Sequence, residues 1–152
     1  MRLVFMGSGE FAVPTLRRLA QGEHEVACVI TQPSREKGRG RRVSGTPVKE
    51  MAAGLGLPVF EFEDINTPDE VEKLRRAEAR LALVIAFGQK LRAGVMGAFS
   101  AGCINLHASL LPAYRGAAPI NWAIVNGEEK TGVTVFRIVD KMDAGPILAS
   151  RW

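Results

Sequence analysis

The sequence predicts a three-layer α/β domain with a mostly parallel sheet. Short apolar runs typical of buried strands alternate with helix signals along the chain, which is the pattern of a parallel sheet covered by helices on both faces. A short connection joins the last two predicted strands, and so short a link can only join antiparallel neighbours. With 152 residues, 47% of them hydrophobic, the chain suits one domain with a buried core and is not intrinsically disordered.

The first elements are a strand, a helix and a second strand. Residues 3–6 form an apolar run that a glycine closes, which predicts a buried strand. Apolar positions spaced through residues 13–20 predict a helix. Residues 25–31 are apolar on both faces and predict a second parallel strand. The segment that follows is rich in glycine and lacks an apolar stripe, so we expect it to be a loop.

Two threonine–proline pairs mark the starts of the next two helices. Thr46 and Thr67 each precede a proline, the arrangement of an N-cap before the first helical position. Glu70 lies three residues after Thr67 and predicts a reciprocal capping box. The second of these helices is expected to reach residue 79, and a short strand at residues 58–60 separates the two helices.

The remaining chain predicts four strands and two helices. Residues 81–87 are the most apolar run and should form a central strand, with residues 102–107 as a further strand. β-branched side chains fill residues 131–139, and residues 146–152 form the last strand after a turn at residues 141–145. Helices are predicted at residues 92–99 and 117–126.

Charge and cysteine content exclude several classes of protein. The net charge is +4, but residues 34–49 hold six basic residues and one glutamate, so the rest of the chain sums to −1. The longest apolar run, residues 81–87, is too short to cross a membrane, and two cysteines make neither a disulfide framework nor a zinc site. We therefore expect a cytoplasmic protein without a membrane partner, with one basic segment suited to phosphate contacts.

The densest polar cluster lies in the strand predicted at residues 102–107. Asn105 and His107 alternate with apolar residues, so their side chains share one face, and open α/β sheets bind ligands at the carboxyl ends of such strands. An amide beside an imidazole can stabilise an oxyanion and carry a proton during attack on a carbonyl. Asp143, in the turn between the last two strands, could orient the imidazole. The same residues also fit a hydrogen-bonded pair under a loop and an ordinary turn aspartate.

Two other kinds of site are disfavoured. Residues 7–12 match the glycine fingerprint of dinucleotide sites, but Thr31 and Gln32 stand where an acidic residue is needed, and Glu10 brings a negative charge to the phosphate position. A serine hydrolase is disfavoured because Ser109 follows too soon after the histidine and no G-x-S-x-G elbow is present.

Several motifs together resemble the formyltetrahydrofolate-dependent formyltransferases. Residues 105–112, which read N-L-H-A-S-L-L-P, and the Y-R-G of residues 114–116 resemble the family signature. Residues 131–134 and 143–145 match its later motifs. The segments most similar to the branch that formylates methionyl-tRNA are residues 11–14, 38–40 and 47–49.

The resemblance implies a Rossmann-like formyltransferase fold with one antiparallel strand, 10-formyltetrahydrofolate as the formyl donor, methionyl-tRNA as the acceptor and no metal. It assigns catalysis to Asn105, His107 and Asp143. It assigns folate binding to Phe87, Gly88, Gln89, Lys90, Leu91, Ser109, Leu110, Leu111 and Pro112. It assigns contacts with the acceptor end of the tRNA to the basic segment, through Arg35, Lys37, Arg39, Arg41 and Arg42.

Family members of this kind normally carry a second, C-terminal domain that helps to hold tRNA. Residues 1–152 are therefore expected to be the catalytic domain of a longer, monomeric enzyme that serves translation initiation. Three rival functions stay open. An amino-sugar formyltransferase would share the catalytic residues without needing the basic segment, and a formyltetrahydrofolate hydrolase would use water as the acceptor. A non-catalytic RNA-binding module would use the basic segment alone.

Overall fold

The computed structural model describes residues 1–37 and 42–152, and within them it contains a seven-stranded sheet and a two-stranded sheet. The strands are β1 (Arg2–Gly7), β2 (Glu25–Thr31), β3 (Arg35–Lys37), β4 (Arg42–Ser44), β5 (Val59–Glu61), β6 (Leu81–Ile85), β7 (Cys103–His107), β8 (Val133–Arg137) and β9 (Ile147–Arg151). The helices are a 3-10 turn (Glu10–Ala12), α1 (Val13–Ala20), α2 (Pro47–Gly54), α3 (Pro68–Arg76), α4 (Ala93–Met96) and α5 (Pro119–Val125).

The order of strands in the large sheet confirms the predicted fold class. The order is β5-β2-β1-β6-β7-β8-β9. The first five strands of that order pair in parallel, and β8 is antiparallel to both of its neighbours. The most apolar run, now β6, lies at the centre of the sheet as predicted. The sheet therefore has one antiparallel strand in an otherwise parallel array.

Apolar side chains pack on both faces of the sheet and form its core. Phe5 of β1 lies in one cluster with Leu16 of α1, and the next residue, Met6, lies in the opposite cluster with Leu74 of α3 and Val95 of α4. Full burial of a side chain of this size contributes about 1.5–3 kcal/mol. The alternation along β1 thus holds helices against both faces, which makes the three layers.

Both predicted threonine caps are present, but the capping box is not. Thr46 Oγ1 accepts a hydrogen bond from Lys49 N at 3.1 Å, and Thr67 Oγ1 accepts one from Glu70 N at 3.4 Å. The expected return contact from the Glu70 side chain to Thr67 N was wrong. Its carboxylate instead pairs with Lys73 Nζ at 3.0 Å, one helical turn along, because a charged partner on the same helix face is the stronger attraction.

The prediction that the basic segment is a loop was also wrong for its described residues. β3 and β4 pair as an antiparallel ribbon, with Arg35 opposite Ser44 and Lys37 opposite Arg42. Ribbon pairing is made by backbone N–H and C=O groups and needs no apolar face. The absence of an apolar stripe therefore did not exclude strands. We call β3 and β4 together the basic ribbon.

The connection between β8 and β9 is longer than the sequence predicted. β8 ends at Arg137, and residues 138–146 leave the sheet before β9 begins at Ile147. Among the helices, the one predicted at residues 92–99 is reduced to the single turn of α4. No helix of the described residues is long and apolar enough to cross a membrane.

Candidate active site

A cavity of about 590 Å³ opens at the carboxyl ends of β6 and β7. This is the position at which open α/β sheets bind ligands, and the volume lies within the range of small-molecule sites. Four segments and three separate side chains form its wall. They are residues 86–91, 105–108, 116–121 and 138–143 except 141, together with Phe11, Val84 and Phe136.

The structure brings Asn105, His107 and Asp143 together on the wall of this cavity. The first two lie on the carboxyl end of β7, and the third lies in the connection between β8 and β9. His107 Nδ1 is 3.8 Å from Asp143 Oδ2. That distance allows an electrostatic contact but exceeds a hydrogen bond. The spacing is compatible with contacts that tighten when a substrate enters.

The imidazole of His107 is held from its far side by a backbone carbonyl. Its Nε2 lies 2.8 Å from the carbonyl oxygen of Tyr114, and because a carbonyl can only accept, Nε2 carries a proton in this contact. The ring is buried and meets Phe136 edge-on at 6.5 Å between centroids. The orientation of the ring is thus set, with Nδ1 turned toward Asp143.

Asp143 is tied to the loop that follows β7. Gly116 N donates a hydrogen bond of 2.8 Å to Asp143 Oδ2, the same oxygen that faces His107. This carboxylate therefore joins two loops that are distant in sequence. Because the Gly116 N–H donates to it, the Asp143 carboxylate keeps its orientation even without a hydrogen bond to the imidazole.

Left-handed backbone conformations concentrate around the cavity. Of the non-glycine residues with positive φ in the described part of the chain, Ala86 (47°), Ala118 (54°) and Asp143 (46°) line the cavity. Tyr114 (54°) presents the carbonyl that accepts from His107. Strained backbone of this kind persists where the surrounding structure requires it, and it often marks functional sites.

The first predicted folate segment, residues 87–91, lies entirely on the cavity wall. Gln89 holds it in place, since its Nε2 donates to the Phe62 carbonyl at 2.8 Å and its Oε1 accepts from Ile65 N at 2.8 Å. Phe87 and Leu91 are buried and supply apolar surface. The segment can therefore offer a flat heterocycle both an apolar wall and fixed backbone groups.

The second predicted folate segment, residues 109–112, does not line the cavity. Ser109 Oγ donates to the Ala113 carbonyl at 2.6 Å, while buried Thr134 Oγ1 donates to the Ser109 carbonyl at 2.7 Å and accepts from Leu111 N at 3.0 Å. In the structure this segment orders the loop that carries the Tyr114 carbonyl. Contact between folate and Ser109, Leu110, Leu111 and Pro112 stays a prediction.

The predicted RNA-contacting residues are only partly described. Arg35 and Lys37 belong to β3 and Arg42 to β4, whereas Arg39 and Arg41 lie outside the described residues. Their contact with tRNA stays a prediction. The base of the ribbon lies close to the cavity, because Gln32 Nε2, three residues before β3, donates at 3.3 Å to the carbonyl of Phe87.

The glycine-rich turn after β1 uses its backbone donors within the protein. Ser8 N and Gly9 N both donate to the Ala86 carbonyl, at 3.2 and 3.3 Å, and Glu10 opens the 3-10 turn that follows. A dinucleotide site needs such N–H groups to face a pyrophosphate. The hydrogen bonding therefore argues against a phosphate cradle at this turn, in agreement with the sequence-based interpretation.

Sequence reasoning missed the cavity residues contributed by α5 and by the β8–β9 connection. Ile120 and Asn121 lie in the first turn of α5, and Val139 and Met142 lie beside Asp143. One signal was available, since residues 117–121 directly follow the Y-R-G motif. For Met142 and Val139 no signal existed, because their chemistry is that of ordinary apolar residues.

Neither cysteine is suited to act as a nucleophile. Cys28 and Cys103 are free and buried. Burial is the main cause that raises the pKa of Cys28 to about 11 and the pKa of Cys103 to about 12. Both thiols are therefore protonated at neutral pH and unreactive. Within the described ranges, no group of three or more His, Cys, Asp or Glu residues could hold a metal ion.

Comparison with known proteins identifies the family. Residues 1–151 match the family model described as Formyl transferase. The chain belongs to the formyl transferase family. This finding agrees with the motifs around Asn105 and Asp143 and with the position of the cavity.

The curated relatives share close to half of their aligned residues with this chain. It is 48% identical to the methionyl-tRNA formyltransferases of Agathobacter rectalis and Solibacter usitatus, over 98% and 99% of its length. It is 49% identical to that of Methylococcus capsulatus over 99% of its length. The chain spans about half the length of these relatives, 48% of the first and 49% of the other two.

Solved structures confirm the fold at lower identity. A phosphoribosylglycinamide formyltransferase from Bacillus halodurans superposes with a TM-score of 0.79 at 25% identity, over 99% of this chain and 78% of that one. A formyltetrahydrofolate deformylase from Pseudomonas syringae superposes with a TM-score of 0.74 at 22% identity, over 99% and 50%. The same fold is therefore found in proteins that are named for different activities.

Proposed function

We propose that this chain transfers the formyl group of 10-formyltetrahydrofolate to the α-amino group of methionyl-tRNA, as the catalytic part of a methionyl-tRNA formyltransferase. The observation that carries the proposal is the meeting of Asn105, His107 and Asp143 on one cavity wall. β7 supplies the first two side chains and the β8–β9 connection supplies Asp143. The chain is 48% identical to named methionyl-tRNA formyltransferases.

The proposed reaction is an acyl transfer through a tetrahedral intermediate. The amine attacks the formyl carbon, a C–N bond forms, and the carbonyl oxygen becomes an oxyanion. Asn105 donates a hydrogen bond to this oxygen from its side-chain amide. The bond from the formyl carbon to the folate nitrogen then breaks, and the formyl group remains on the amino acid. Neither a metal nor a covalent enzyme intermediate is needed for these steps.

His107 moves the proton that the attacking amine loses. Nδ1 is the nitrogen free to do so, because Nε2 is engaged with the Tyr114 carbonyl. The proton passes to Nδ1 and then to the departing folate nitrogen, so that charge balances at the end of the reaction. Asp143, 3.8 Å from Nδ1, stabilises the imidazolium that forms in between.

The cavity wall suits a folate. A pterin ring needs an apolar slot with a few backbone donors and acceptors at its edge. Residues 87–91 offer this arrangement, because Phe87 and Leu91 are buried beside backbone groups that Gln89 holds in place. These features support binding of the donor in this part of the cavity, where its formyl group would face Asn105.

The basic ribbon supports an RNA acceptor. Its strands begin at Arg35 and Arg42, and the hydrogen bond from Gln32 to Phe87 connects its base to the cavity wall. Positive side chains at this position can hold the phosphates of an acceptor end while the aminoacyl group enters the cavity. The proposed acceptor, a charged tRNA, places the reaction in the cytoplasm.

A comparison of acceptors tests the proposed function. Labelled 10-formyltetrahydrofolate is incubated with the chain and with methionyl-tRNA, a nucleotide amino sugar or water alone. We expect label on methionyl-tRNA at the highest rate. Preferential label on the sugar would indicate an amino-sugar formyltransferase, and rapid release of formate would indicate a hydrolase. RNA binding without transfer of label would indicate a binding module.

A further inference from the structure

One carboxylate joins the two ends of the basic ribbon. Glu61 Oε1 accepts from both the backbone N and the Oγ of Ser34, each at 2.6 Å. Glu61 Oε2 lies 2.8 Å from Lys49 Nζ, which also donates to Ser34 Oγ at 2.9 Å. These three residues, Ser34, Lys49 and Glu61, make a closed set of contacts that we call the ribbon clamp.

The positions of these residues in the chain explain what the clamp does. Ser34 directly precedes β3, and Lys49 lies in the first turn of α2, shortly after β4 ends. Glu61 is the last residue of β5, the edge strand of the large sheet. The clamp therefore fastens the entry and the exit of the ribbon to the same point on the sheet.

A second set of contacts links the clamp to the catalytic cavity. Thr31 Oγ1 lies 2.6 Å from Thr46 Oγ1, and both side chains are buried. Between Thr31 and the clamp, Gln32 donates to the carbonyl of Phe87 on the cavity wall. The direction in which the ribbon leaves the sheet is thus coupled to the position of the cavity.

The clamp uses a negative charge within a strongly basic region. The hydrogen bond from Lys49, followed by that from Ser34, lowers the pKa of Glu61 below its ordinary value. Glu61 therefore stays ionised at neutral and mildly acidic pH. Simple electrostatics would favour a neutral residue here if the region served only to attract phosphates. A glutamate at this position instead fits a role in orienting the ribbon.

We propose that Glu61 is a positioning residue, which acts through Ser34 and Lys49 to hold the basic ribbon where it can receive the phosphates of the acceptor tRNA. This proposal rests on the proposed function for its partner. Glu61 itself touches neither substrate, so its loss should weaken tRNA binding and leave the chemical step unchanged.

Limited trypsin digestion tests the clamp without any substrate. Glu61→Gln keeps the size of the side chain but replaces the oxygen that faces Lys49 by a donor. The matched control is Glu72→Gln, which breaks an ion pair with Arg76 on α3, away from the ribbon. Cleavage within residues 35–42 should quicken about two- to fivefold in Glu61→Gln, the effect of losing one exposed ion pair. Equal cleavage rates in the two variants would overturn the proposal.

The affinity for methionyl-tRNA tests whether the ribbon clamp supports tRNA binding. Both variants remove one negative charge, so overall electrostatics predicts equal or tighter tRNA binding by each. The clamp predicts the opposite for Glu61→Gln alone, a Kd and KM for methionyl-tRNA about two- to fivefold higher, with kcat and the KM for 10-formyltetrahydrofolate unchanged. If Glu61→Gln binds tRNA as well as Glu72→Gln does, the proposal is wrong.

Failure of the proposed function gives a different result. Wild-type protein that neither binds nor formylates methionyl-tRNA would overturn the proposed acceptor, and with it the tRNA role of Glu61. The digestion rates would in that case still show whether Glu61 holds the ribbon. A fall in kcat for Glu61→Gln at unchanged tRNA affinity would contradict the positioning role.

Discussion

At the scale of single residues, Asn105 and His107 have different surroundings, and these suit them to different roles in the proposed reaction. The imidazole is buried and held by the Tyr114 carbonyl on one side and faces Asp143 on the other. Asn105 lies on the same strand and lines the same cavity. A neutral donor that needs no change of protonation is suited to the oxyanion, and a ring that can gain and lose a proton is suited to the transfer.

Replacement of Asn105 should affect the chemical step more than binding. Asn105→Ala removes the donor to the oxyanion, which forms only as the reaction proceeds, so kcat should fall by about 10²–10³-fold. Ser100→Ala, an exposed truncation outside the cavity, is the control. Steady-state kinetics and folate titration measure the two effects. A variant with near-normal kcat would show that Asn105 does not contact the reacting atoms.

The two buried thiols predict how stability depends on alkaline pH. Burial raises the pKa of Cys28 to about 11 and that of Cys103 to about 12 in the folded chain, against 9.0 for an ordinary thiol. As the pH rises, the folded chain therefore keeps its thiol protons up to a higher pH than the unfolded chain does. The thiol contribution to stability is therefore complete below pH 9 and is lost as the pH rises toward 11–12.

Thiol alkylation at pH 8 checks this expectation directly. Folded protein should leave both cysteines unmodified by iodoacetamide, and protein in urea should react at both. Urea midpoints should fall steadily between pH 9 and pH 11. Rapid modification of Cys103 in the folded chain would contradict its burial.

Side-chain patterns alone predicted that Asn105 and His107 share one face, but they did not predict the surroundings of the imidazole. Alternation along β7 was enough to place Asn105 and His107 on one face, because strand geometry fixes the direction of every second side chain. The Tyr114 carbonyl could not be predicted in this way. It reaches the imidazole through a left-handed backbone conformation at a tyrosine, and tyrosine carries no sequence preference for that conformation.

At the scale of elements, the connection between β8 and β9 decides whether the site forms. It leaves the sheet after Arg137 and returns at Ile147, and it carries Asp143 on the way. Gly145 lies where this connection passes β8. A Cβ at Gly145 would come within 1.7 Å of the Arg137 carbonyl oxygen. Only glycine permits the backbones to approach so closely.

Gly145→Ala should therefore displace the connection and with it Asp143. The clash is with backbone, which cannot rotate away, so we expect a loss of stability of about 1–3 kcal/mol and a lower kcat. Gly54→Ala, at the end of α2, is the matched control, because a Cβ there meets nothing within 4 Å. Urea unfolding and kinetics on both variants provide the measurements, and wild-type behaviour of Gly145→Ala would contradict the close approach.

Elements with an apolar pattern were predicted, and elements without one were not. The central position of β6 followed from its apolar composition, and the caps of α2 and α3 followed from Thr46 and Thr67. The basic ribbon was missed because backbone pairing holds it and the Glu61 clamp anchors it. The boundary of β8 was placed too late because Ile138 and Val139 are β-branched like the strand before them, although they leave the sheet to line the cavity.

At the scale of the whole molecule, the fold is shared with proteins whose sequences differ widely from this one. The sheet and its helices superpose on a phosphoribosylglycinamide formyltransferase with a TM-score of 0.79 although only 25% of residues agree. The chain is 48–49% identical in sequence to the methionyl-tRNA formyltransferases of Agathobacter rectalis and Methylococcus capsulatus. In the proposed function, the shared architecture positions the formyl donor beside Asn105, His107 and Asp143, and the basic ribbon is the local feature that selects the acceptor.

A single-turnover transfer assay tests the central claim most directly. The protein is mixed in excess with 10-formyltetrahydrofolate that carries label in the formyl group and with methionyl-tRNA. The tRNA is then hydrolysed and the released amino acid is analysed. We expect the label to appear in formylmethionine with wild-type protein, and about 10²–10³-fold more slowly with Asn105→Ala. Label found only as free formate, or formylmethionine produced equally fast by both proteins, would contradict it.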